Sequence, residues 1–485
     1  METVQNWFIY NPKQPLLFNS ALFLGLFVIF YFVYILSKKT HYFRITYVVL
    51  FSLFFYYKCS GHYFWLLIFS SVVDYYLSRL IFVEKKQLTR NIYLMLSLII
   101  NLGMLAYFKY TNFLIDNFNT LFNENMTFAN IILPVGISFY TFQTLSYTID
   151  VYRRHLEPTK SFIDFLFFVS FFPQLVAGPI VRASDFIPQI YKRLHLTKEE
   201  FNLALFLIIG GLIKKAIISD YISSNFVDRV FDMPNSYSSF ENLMASYGYA
   251  IQIYCDFSGY SDIAIGLALL MGFKLPANFR TPYQSATVTE FWKRWHISLS
   301  TWLRDYLYIS LGGNRKGNIR TYVNLSLTMI LGGLWHGASW KFVVWGSLHG
   351  LALTIERFVG QFITLPKNAI IRTIQVILTF HFVAFCWLFF RAKDFSTAFT
   401  IIENISQLTF DLHQWQVIII AYKNVFLLIA LGFVTHFIPE KGILFMQKTF
   451  NLMPLVVKAI LLGLVYWILY ATASAGSQPF IYFQF

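Results

Sequence analysis

Charged side chains are scarce in this chain. Of its 485 residues, 13% are Asp, Glu, Lys or Arg, whereas 57% are hydrophobic. Because a soluble globular domain carries about 25% charged residues, this composition excludes an ordinary soluble fold. Linkers rich in proline, glycine and serine are also missing, and so is a convincing internal repeat. The sequence therefore predicts one membrane domain over residues 1–485.

Cysteine is equally rare. The three cysteines, Cys59, Cys255 and Cys386, lie in apolar surroundings without paired or metal-ligand spacing. This pattern argues against a disulfide framework and against a zinc site. We interpret the three thiols as small buried side chains, and we predict neither a metal site nor a bound cofactor.

Long apolar runs, by contrast, recur along the chain. Candidate runs lie near 17–36, 45–58, 63–83, 92–108, 130–149, 162–181, 201–218, 242–272, 321–350, 371–391, 422–438 and 455–473. They predict an all-α, polytopic membrane protein with roughly eleven to thirteen transmembrane or re-entrant helices. The first run lacks the basic segment and small-residue cleavage site of a signal peptide, so we expect a retained helix.

The basic residues lie between the apolar runs. The net charge of +14 is compatible with nucleic-acid binding, but the loops after the first, third and fifth runs hold Lys38, Lys39, Arg44, Lys85, Lys86, Arg90, Arg153 and Arg154. The loop 112–130 has no basic residue. This alternation follows the positive-inside rule and predicts an external amino terminus with cytoplasmic basic loops. We therefore expect a membrane partner and no nucleic acid.

One segment, 274–320, is unusually basic, with eight Lys or Arg residues against Glu290 and Asp305. Thr287 or Thr289 is suited to cap a helix that begins near Glu290. The apolar face of that helix is predicted from the three- and four-residue spacing of Trp292, Trp295, Leu299 and Trp302. A basic, tryptophan-rich amphipathic helix is typical of a cytoplasmic membrane interface, and Gly312-Gly313 would end it.

Histidines in this segment and in the apolar run after it are the candidate chemical groups. His296 lies on the predicted interfacial helix, whereas His336 and His349 lie in the apolar run. Ionisable side chains inside a membrane are costly and usually line a cavity or pathway. A neutral imidazole near pH 7 can take a proton from a hydroxyl, but it can equally be a structural hydrogen-bonding group. Such proton transfer is what acyl transfer to an alcohol requires. We find no serine nucleophile elbow and no activated cysteine, so for that reaction direct attack by the acceptor hydroxyl is favoured over an acyl-enzyme intermediate.

Other polar or helix-breaking residues in the apolar runs leave alternatives open. Gly332, Gly333 and Gly337 suit either close helix packing or close approach of a ligand. For Asp256 and Asp262 we favour structural ion pairing over a proton relay or helix capping, because an unpaired carboxylate in a membrane is costly.

Two further stretches are less regular than a simple span. Gln143 and Tyr147 would line a polar path or bind neighbouring helices. Residues 171–189, which contain Pro173, Pro179 and Pro188, are predicted to form a kinked or re-entrant element.

Two blocks in sequence order resemble a known family. The stretches 291-FWKRWHISLSTWLRDYLYISLGGNR-315 and 331-LGGLWHGASWKFVVWGSLHG-350 are similar to the membrane-bound O-acyltransferase (MBOAT) superfamily, and especially to its bacterial alginate O-acetyltransferase membrane subunits. Supporting stretches are 134–153, 172–182, 254–266 and 479-PFIYFQF-485. The motif-bearing core is residues 133–350, and the two-block match is far more specific than Trp-His-Gly alone.

This resemblance implies a site and a path for the substrates. The family's catalytic histidine falls on His336, and its second polar position falls on His296. The family fold implies helices around a catalytic tunnel, with an acyl thioester entering from the cytoplasm and the acceptor from the other side. The basic segment 274–320 would suit the phosphates of acetyl-CoA. Tentative substrate-binding residues in the matching blocks are Trp292, Trp295, Trp302, Arg304, Asp305, Tyr306, Asn314 and Trp335.

The expected function is therefore O-acetylation of an exported or cell-envelope polysaccharide, such as an alginate-like exopolysaccharide or peptidoglycan. Acetyl-CoA would be the donor, the bacterial inner membrane the location, and periplasmic or membrane-anchored acetyltransferases the partners. The alternatives are a subunit for teichoic-acid D-alanylation, a proton-coupled transporter or flippase, and a scaffold. The terminal FIYFQF favours the acetylase branch, and the lack of inverted repeats counts against a transporter.

Overall fold

The computed structural model describes residues 5–12, 15–37, 40–192, 195–363, 365–366, 368–472 and 480. Of the terminal stretch 479–485, all but Phe480 lies outside the described residues. Within the described ranges the regular structure is helical and contains no β-strand. The predicted all-α class is therefore confirmed.

The chain divides into two compact units. The first contains Met1–Ala204 and Ile263–Pro276, and the second contains Leu205–Asp262 and Ala277–Phe485. The single domain predicted over residues 1–485 stays a prediction.

The first unit is built from short and long helices. They are α1 Gln5–Phe8, α2 Ala21–Leu36, α3 His41–Ser60, α4 Phe64–Val83, α5 Gln87–Leu105, α6 Thr111–Phe122, α7 Ile137–Tyr152, α8 Phe162–Ser170, α9 Phe172–Leu175 and α10 Ala183–Ile190. A 3₁₀ turn, Gly61–Tyr63, and a π-helical turn, Ala106–Tyr110, interrupt them. The proline-rich element is broken as predicted, because α9 and α10 flank non-helical residues 176–182.

Polar side chains on α7 bind neighbouring segments of this unit. Gln143 donates a hydrogen bond to the backbone carbonyl of Phe168 at 2.9 Å. The hydroxyl of Tyr147 accepts the backbone N–H of Thr159 at 3.0 Å. Both residues are buried, so of the two interpretations left open, interhelical binding is the one that the structure supports.

The second unit holds most of the family-like motifs. Its helices are α11 Lys198–Leu212, α12 Asp220–Ile222, α13 Asp228–Asp232, α14 Ser239–Leu270, α15 Val288–Arg294, α16 Ile297–Trp302, α17 Gly317–His336, α18 Trp340–Val359, α19 Ala369–Arg391, α20 Phe395–Ser406, α21 Leu412–Ala421, α22 Lys423–His436, α23 Glu440–Leu452 and α24 Leu455–Thr472. Residues 198–204 of α11 and 263–270 of α14 belong to the first unit. The π-helical turns of the second unit are Ile213–Ser219, Ser223–Val227 and Leu303–Tyr308, and its 3₁₀ turns are Pro234–Ser236 and Pro282–Gln284.

Five helical stretches among the described residues are long and apolar enough to cross a membrane. They are His41–Val83, Gln87–Phe122, Lys198–Asp232, Ser239–Leu270 and Ala369–Arg391. Two sharply bent pairs, α21 with α22 (91°) and α23 with α24 (116°), raise the number to seven. The chain is thus a multi-pass membrane protein, with fewer simple spans than the predicted eleven to thirteen. Several predicted runs form shorter or more polar helices, such as α7 and α8, which do not meet the length and hydropathy requirement.

Ion pairs of Lys215, which is buried, and of Lys214, which is partly exposed, hold α14 against the π-helical turn that follows α11. Lys215 bonds to Asp256 and to Asp220, the latter at 2.7 Å, and Lys214 bonds to Asp262. The structural pairing favoured for these aspartates is confirmed. Helix α14 runs unbroken through Gly259, so the alternative of capping groups at a helix break is wrong.

Candidate active site

His336 is the last residue of α17, and its side chain is 4% exposed. Aromatic rings surround the imidazole: Trp335 at 5.1 Å, Trp345 at 5.2 Å and Phe390 at 5.4 Å between ring centroids. Such a site excludes water, which strengthens every electrostatic interaction made inside it. The helix ends here because the next residue, Gly337, leaves the helical conformation.

The glycines around His336 serve helix packing. A Cβ added to Gly333 would lie 2.2 Å from the carbonyl oxygen of Phe342, and one added to Gly346 would lie 2.4 Å from that of Met329. A Cβ on Gly337 would meet the ring of Phe342 at 2.0 Å. Helices α17 and α18 therefore approach to backbone contact, as small residues permit in membrane bundles. This close approach places Trp345 of α18 against His336.

His296 lies at a break in the predicted interfacial helix. Thr287 caps α15 by accepting the N–H of Glu290 at 3.0 Å, as expected. However, His296 has a left-handed backbone (φ 43°, ψ 54°) between α15 and α16, so one continuous amphipathic helix was wrong. A non-glycine residue in this region is uncommon and strained, and it persists only where the surroundings enforce it. The break turns His296 into the interior, where it is 0% exposed.

Asn278 anchors the His296 ring. Its side-chain oxygen lies 3.2 Å from His296 Nδ1 and accepts the backbone N–H of Ser298 at 3.2 Å and the Ser298 hydroxyl at 2.9 Å. The backbone N–H is always a donor, which identifies this Asn278 atom as the oxygen. Nδ1 of His296 therefore carries the proton, and Nε2 presents a lone pair.

Burial lowers the pKa of His296 to about 3, because removal from water disfavours the charged imidazolium. The ring is therefore neutral near pH 7. Its centroid lies 6.4 Å from that of His336, and Trp335 packs against both rings. The two candidate histidines, which lie forty residues apart in the sequence, are thus neighbours in space.

A cavity of about 530 Å³ lies beside α15 and α16 in the same unit. Three of the tentative binding residues line it: Trp292, Arg304 and Asn314. Arg304 is exposed and pairs with Asp305 at 2.6 Å, and Asn314 accepts the hydroxyl hydrogen of Tyr308. Lys293 and Arg357 add positive charge, Glu356 adds a carboxylate, and the remaining wall is made of apolar and hydroxyl-bearing side chains. The cavity therefore combines apolar and hydroxyl-bearing walls with three cationic side chains and one carboxylate.

Four of the other tentative binding residues, Trp295, Trp302, Tyr306 and Trp335, pack in the interior, whereas Asp305 is partly exposed beside Arg304. Trp295 is 1% exposed and packs on Phe291 and Trp387. Trp302 and Tyr306 are buried with their rings 5.1 Å apart. The helical spacing of Trp295 and Trp302 predicted a face for the membrane interface, but these two side chains turn toward the interior of the unit instead.

Sequence reasoning missed Asn278, Trp345 and Phe390. Asn278 and Phe390 share neither a motif nor a helical spacing with the histidines that they contact, whereas Trp345 lies in the same motif block as His336 and four residues before His349. His349, the third candidate histidine, is fully buried and accepts the indole N–H of Trp292 at 3.3 Å.

The sequence profile of the membrane-bound O-acyltransferase (MBOAT) family matches residues 53–395. This span is more than half of the chain and includes the buried histidines His296, His336 and His349. The chain therefore belongs to this family of membrane acyltransferases, and it is an enzyme.

Relatives within the family carry more specific names. The chain is 38% identical to the peptidoglycan O-acetyltransferase of Helicobacter pylori over 80% of each chain. It is 43% identical to the probable alginate O-acetylase AlgI of Pseudomonas aeruginosa over 67% of this chain and 61% of that protein. It is 31% identical to the teichoic acid D-alanyltransferase of Bacillus subtilis over 55% of this chain and 70% of that protein. The match to the alginate protein thus spans less than two thirds of that relative's length.

Proposed function

We propose that this protein is an O-acetyltransferase of a bacterial inner membrane. It takes an acetyl group from acetyl-CoA on the cytoplasmic side and supplies it for O-acetylation of an exported or cell-envelope polysaccharide. Peptidoglycan and an alginate-like polymer are the acceptor classes that the relatives' names support. Periplasmic or membrane-anchored acetyltransferases would complete the transfer where the acceptor is reached indirectly.

The observation that carries this proposal is the pair of buried imidazoles 6.4 Å apart in an aromatic enclosure. His336 would take the proton of the acceptor hydroxyl as its oxygen bonds to the acetyl carbon. The bond from that carbon to sulfur then breaks, and the proton passes from the imidazolium to the departing thiolate. The protein contributes alignment and exclusion of water, since the thiolate is already a good leaving group.

The tautomer of the His296 ring decides which role this side chain can take in the proposed reaction. Because Nδ1 donates to Asn278, Nε2 can accept a hydrogen bond but cannot donate one. An oxyanion needs donors, so His296 is unsuited to stabilise it. We assign His296 to orient the acceptor hydroxyl, whose hydrogen its lone pair would accept.

The cavity beside α15 and α16 suits the donor. Lys293, Arg304 and Arg357 line one cavity together with Leu303, Leu325 and Met329. Arginine and lysine pair with phosphate oxygens, and the aliphatic wall suits the pantetheine arm. Acetyl-CoA carries both features on one molecule.

Transfer of D-alanine is the second candidate, supported by the teichoic acid relative at 31% identity. A different acyl donor distinguishes it from the main proposal.

Vesicles with the purified protein and [¹⁴C]acetyl-CoA should release free CoA and label added peptidoglycan fragments or oligo-alginate, together with the candidate partner proteins. His336→Gln should remove both signals, whereas the exposed His413→Gln should keep them. CoA release that persists in His336→Gln would contradict the assigned base, and labelling from a D-alanyl donor alone would favour the second candidate.

A proton-coupled transporter makes a different prediction. Movement of substrate across these vesicles without consumption of acetyl-CoA, and unchanged in His336→Gln, would overturn the acetyltransferase proposal. A scaffold predicts normal polymer acetylation in cells that carry His336→Gln.

A further inference from the structure

His349 on α18 is enclosed by aromatic rings. It is 0% exposed, and its neighbours are Phe291, Trp292, Trp345 and Phe382. The indole N–H of Trp292 donates to His349 Nδ1 at 3.3 Å. An indole nitrogen is a donor only, so Nδ1 holds a lone pair and the ring is the neutral Nε2–H tautomer.

An imidazole in such surroundings needs a physical reason. Burial of a polar ring is costly unless it gains hydrogen bonds, and phenylalanine would fill an aromatic enclosure without that cost. Nε2 of His349 makes no hydrogen bond with the described residues. The bond to Trp292 is therefore the polar interaction that a phenylalanine at this position would lose.

Trp292 stands between His349 and the cavity beside α15 and α16. Its ring lines that cavity and packs on the buried side chains of Val288, Met329 and Leu353. Trp292 is only half-buried, so packing alone leaves the indole freedom to turn. The hydrogen bond to His349 removes that freedom and sets one indole orientation at the cavity wall.

We propose that His349 is a positioning residue for donor binding, because it holds the Trp292 indole as a wall of the cavity. This inference rests on the proposed function, in which the cavity receives acetyl-CoA. His349 acts here through Trp292 and does not touch the reacting atoms.

A second contact of His349 leads toward the histidine pair. Its ring lies 4.9 Å from that of Trp345, which lies 5.2 Å from that of His336. If His349 acted along that route, its loss would lower kcat. If it acts through Trp292, its loss raises the KM for acetyl-CoA.

The test is a double-mutant cycle with full-length protein in vesicles. His349→Phe keeps an aromatic ring and removes the acceptor, and Trp292→Phe removes the donor of the same bond. Each single variant should raise the KM for acetyl-CoA about tenfold, the effect of losing one buried hydrogen bond, and change kcat by less than about twofold. The double variant should be no worse than the more affected single variant, because both changes remove one interaction. His349→Asn, whose side-chain oxygen can replace Nδ1, should restore much of the affinity.

Several outcomes would overturn the inference. Additive effects in the double variant would show that the two side chains act separately, and a loss of kcat at unchanged KM would place His349 on the route through Trp345. If His349→Phe fails to fold, Trp292→Phe still removes the same hydrogen bond at a residue that is only half-buried. A KM for acetyl-CoA equal to that of wild type in this variant would refute the proposal.

Arg357→Gln separates this inference from the proposed function. Arg357 lines the same cavity but does not contact Trp292 or His349 through a hydrogen bond. If Arg357→Gln and Lys293→Gln raise the KM while His349→Phe does not, only the role of His349 is refuted. If the charge variants leave the KM unchanged, the donor is not bound in this cavity and the inference fails with it.

Discussion

Replacement of Asn278 by leucine should disable His296 without altering either histidine. The Asn278 oxygen lies within 3.2 Å of three atoms that need it: His296 Nδ1, Ser298 N and Ser298 Oγ. Leucine has a similar volume and no acceptor. The His296 ring would then be free to turn or to adopt the Nε2–H tautomer, which removes the lone pair assigned to the acceptor hydroxyl.

The expected losses of stability and of kcat in Asn278→Leu follow from these contacts. A buried donor left without its acceptor costs about 1–3 kcal/mol, and neighbouring losses are not additive. Asn278→Leu should therefore lower the free energy of unfolding by about 2–4 kcal/mol. Misplacement of an orienting group should lower kcat by about 10- to 100-fold, with less effect on the KM for acetyl-CoA, because Asn278 does not line the donor cavity.

Initial rates of CoA release at saturating acceptor, with the folded fraction measured by thermal unfolding in detergent, would test this. The matched control is Asn242→Leu, since Asn242 is also fully buried and donates to the carbonyls of Pro234, Tyr237 and Ser238. The control should lose stability and retain the kcat of the folded protein. A wild-type kcat in Asn278→Leu would refute the assigned tautomer and the orienting role of His296.

Three further results are expected. The depressed pKa of His296, about 3, makes the folded state bind fewer protons than the unfolded state, whose histidine pKa is about 6.5. Below about pH 6.5 the unfolded state gains a proton that the folded state does not, so the free energy of unfolding falls by up to about 1.4 kcal/mol per pH unit as the pH drops toward 3. His296→Gln should flatten the acid limb of a Tm-against-pH curve, and an unchanged limb would contradict the lowered pKa. Gly346→Ala should destabilise the protein by about 1–3 kcal/mol and lower activity, since its Cβ would lie 2.4 Å from a backbone oxygen of α17. Gly210→Ala, which has open space around it, should do neither, and equal Tm values for the two variants would refute the tight crossing of α17 and α18. Lys215→Met should lower stability by about 3–5 kcal/mol because Asp220 and Asp256 would lose their buried cation, and an unfolding curve like that of wild type would show that the pairs are not stabilising.

An imidazole in an apolar run and two family-like motif blocks were enough to select His336 and His296 as candidates, but they did not reveal how His296 is held. Trp292, Trp295, Leu299 and Trp302 have helical spacing, and that period indicates one continuous helix. The left-handed residue in the middle of it is bound through its side chain by Asn278, which lies eighteen residues away along the chain. A local period cannot report a constraint that comes from a distant side chain.

The aromatic face shows the same limit. Tryptophan at helical spacing fits a membrane interface and a buried core equally well, because both are partly apolar. Trp295 and Trp302 lie in the interior, where they pack against Trp387 and Tyr306. Only Trp292 reaches both the cavity and a hydrogen-bond acceptor.

The amino-acid sequence was sufficient to establish the class of the protein, since composition and apolar runs depend only on which residues are present and how long each run is. It also determined the family, because two motif blocks in a set order are legible without coordinates. The folded arrangement was needed to show that His336 and His296 are neighbours and that glycines bring α17 and α18 into backbone contact. It was also needed to show that Asn278 binds the His296 ring and that His349 binds the Trp292 indole. Those facts depend on contacts between residues far apart in the chain, which no local pattern encodes.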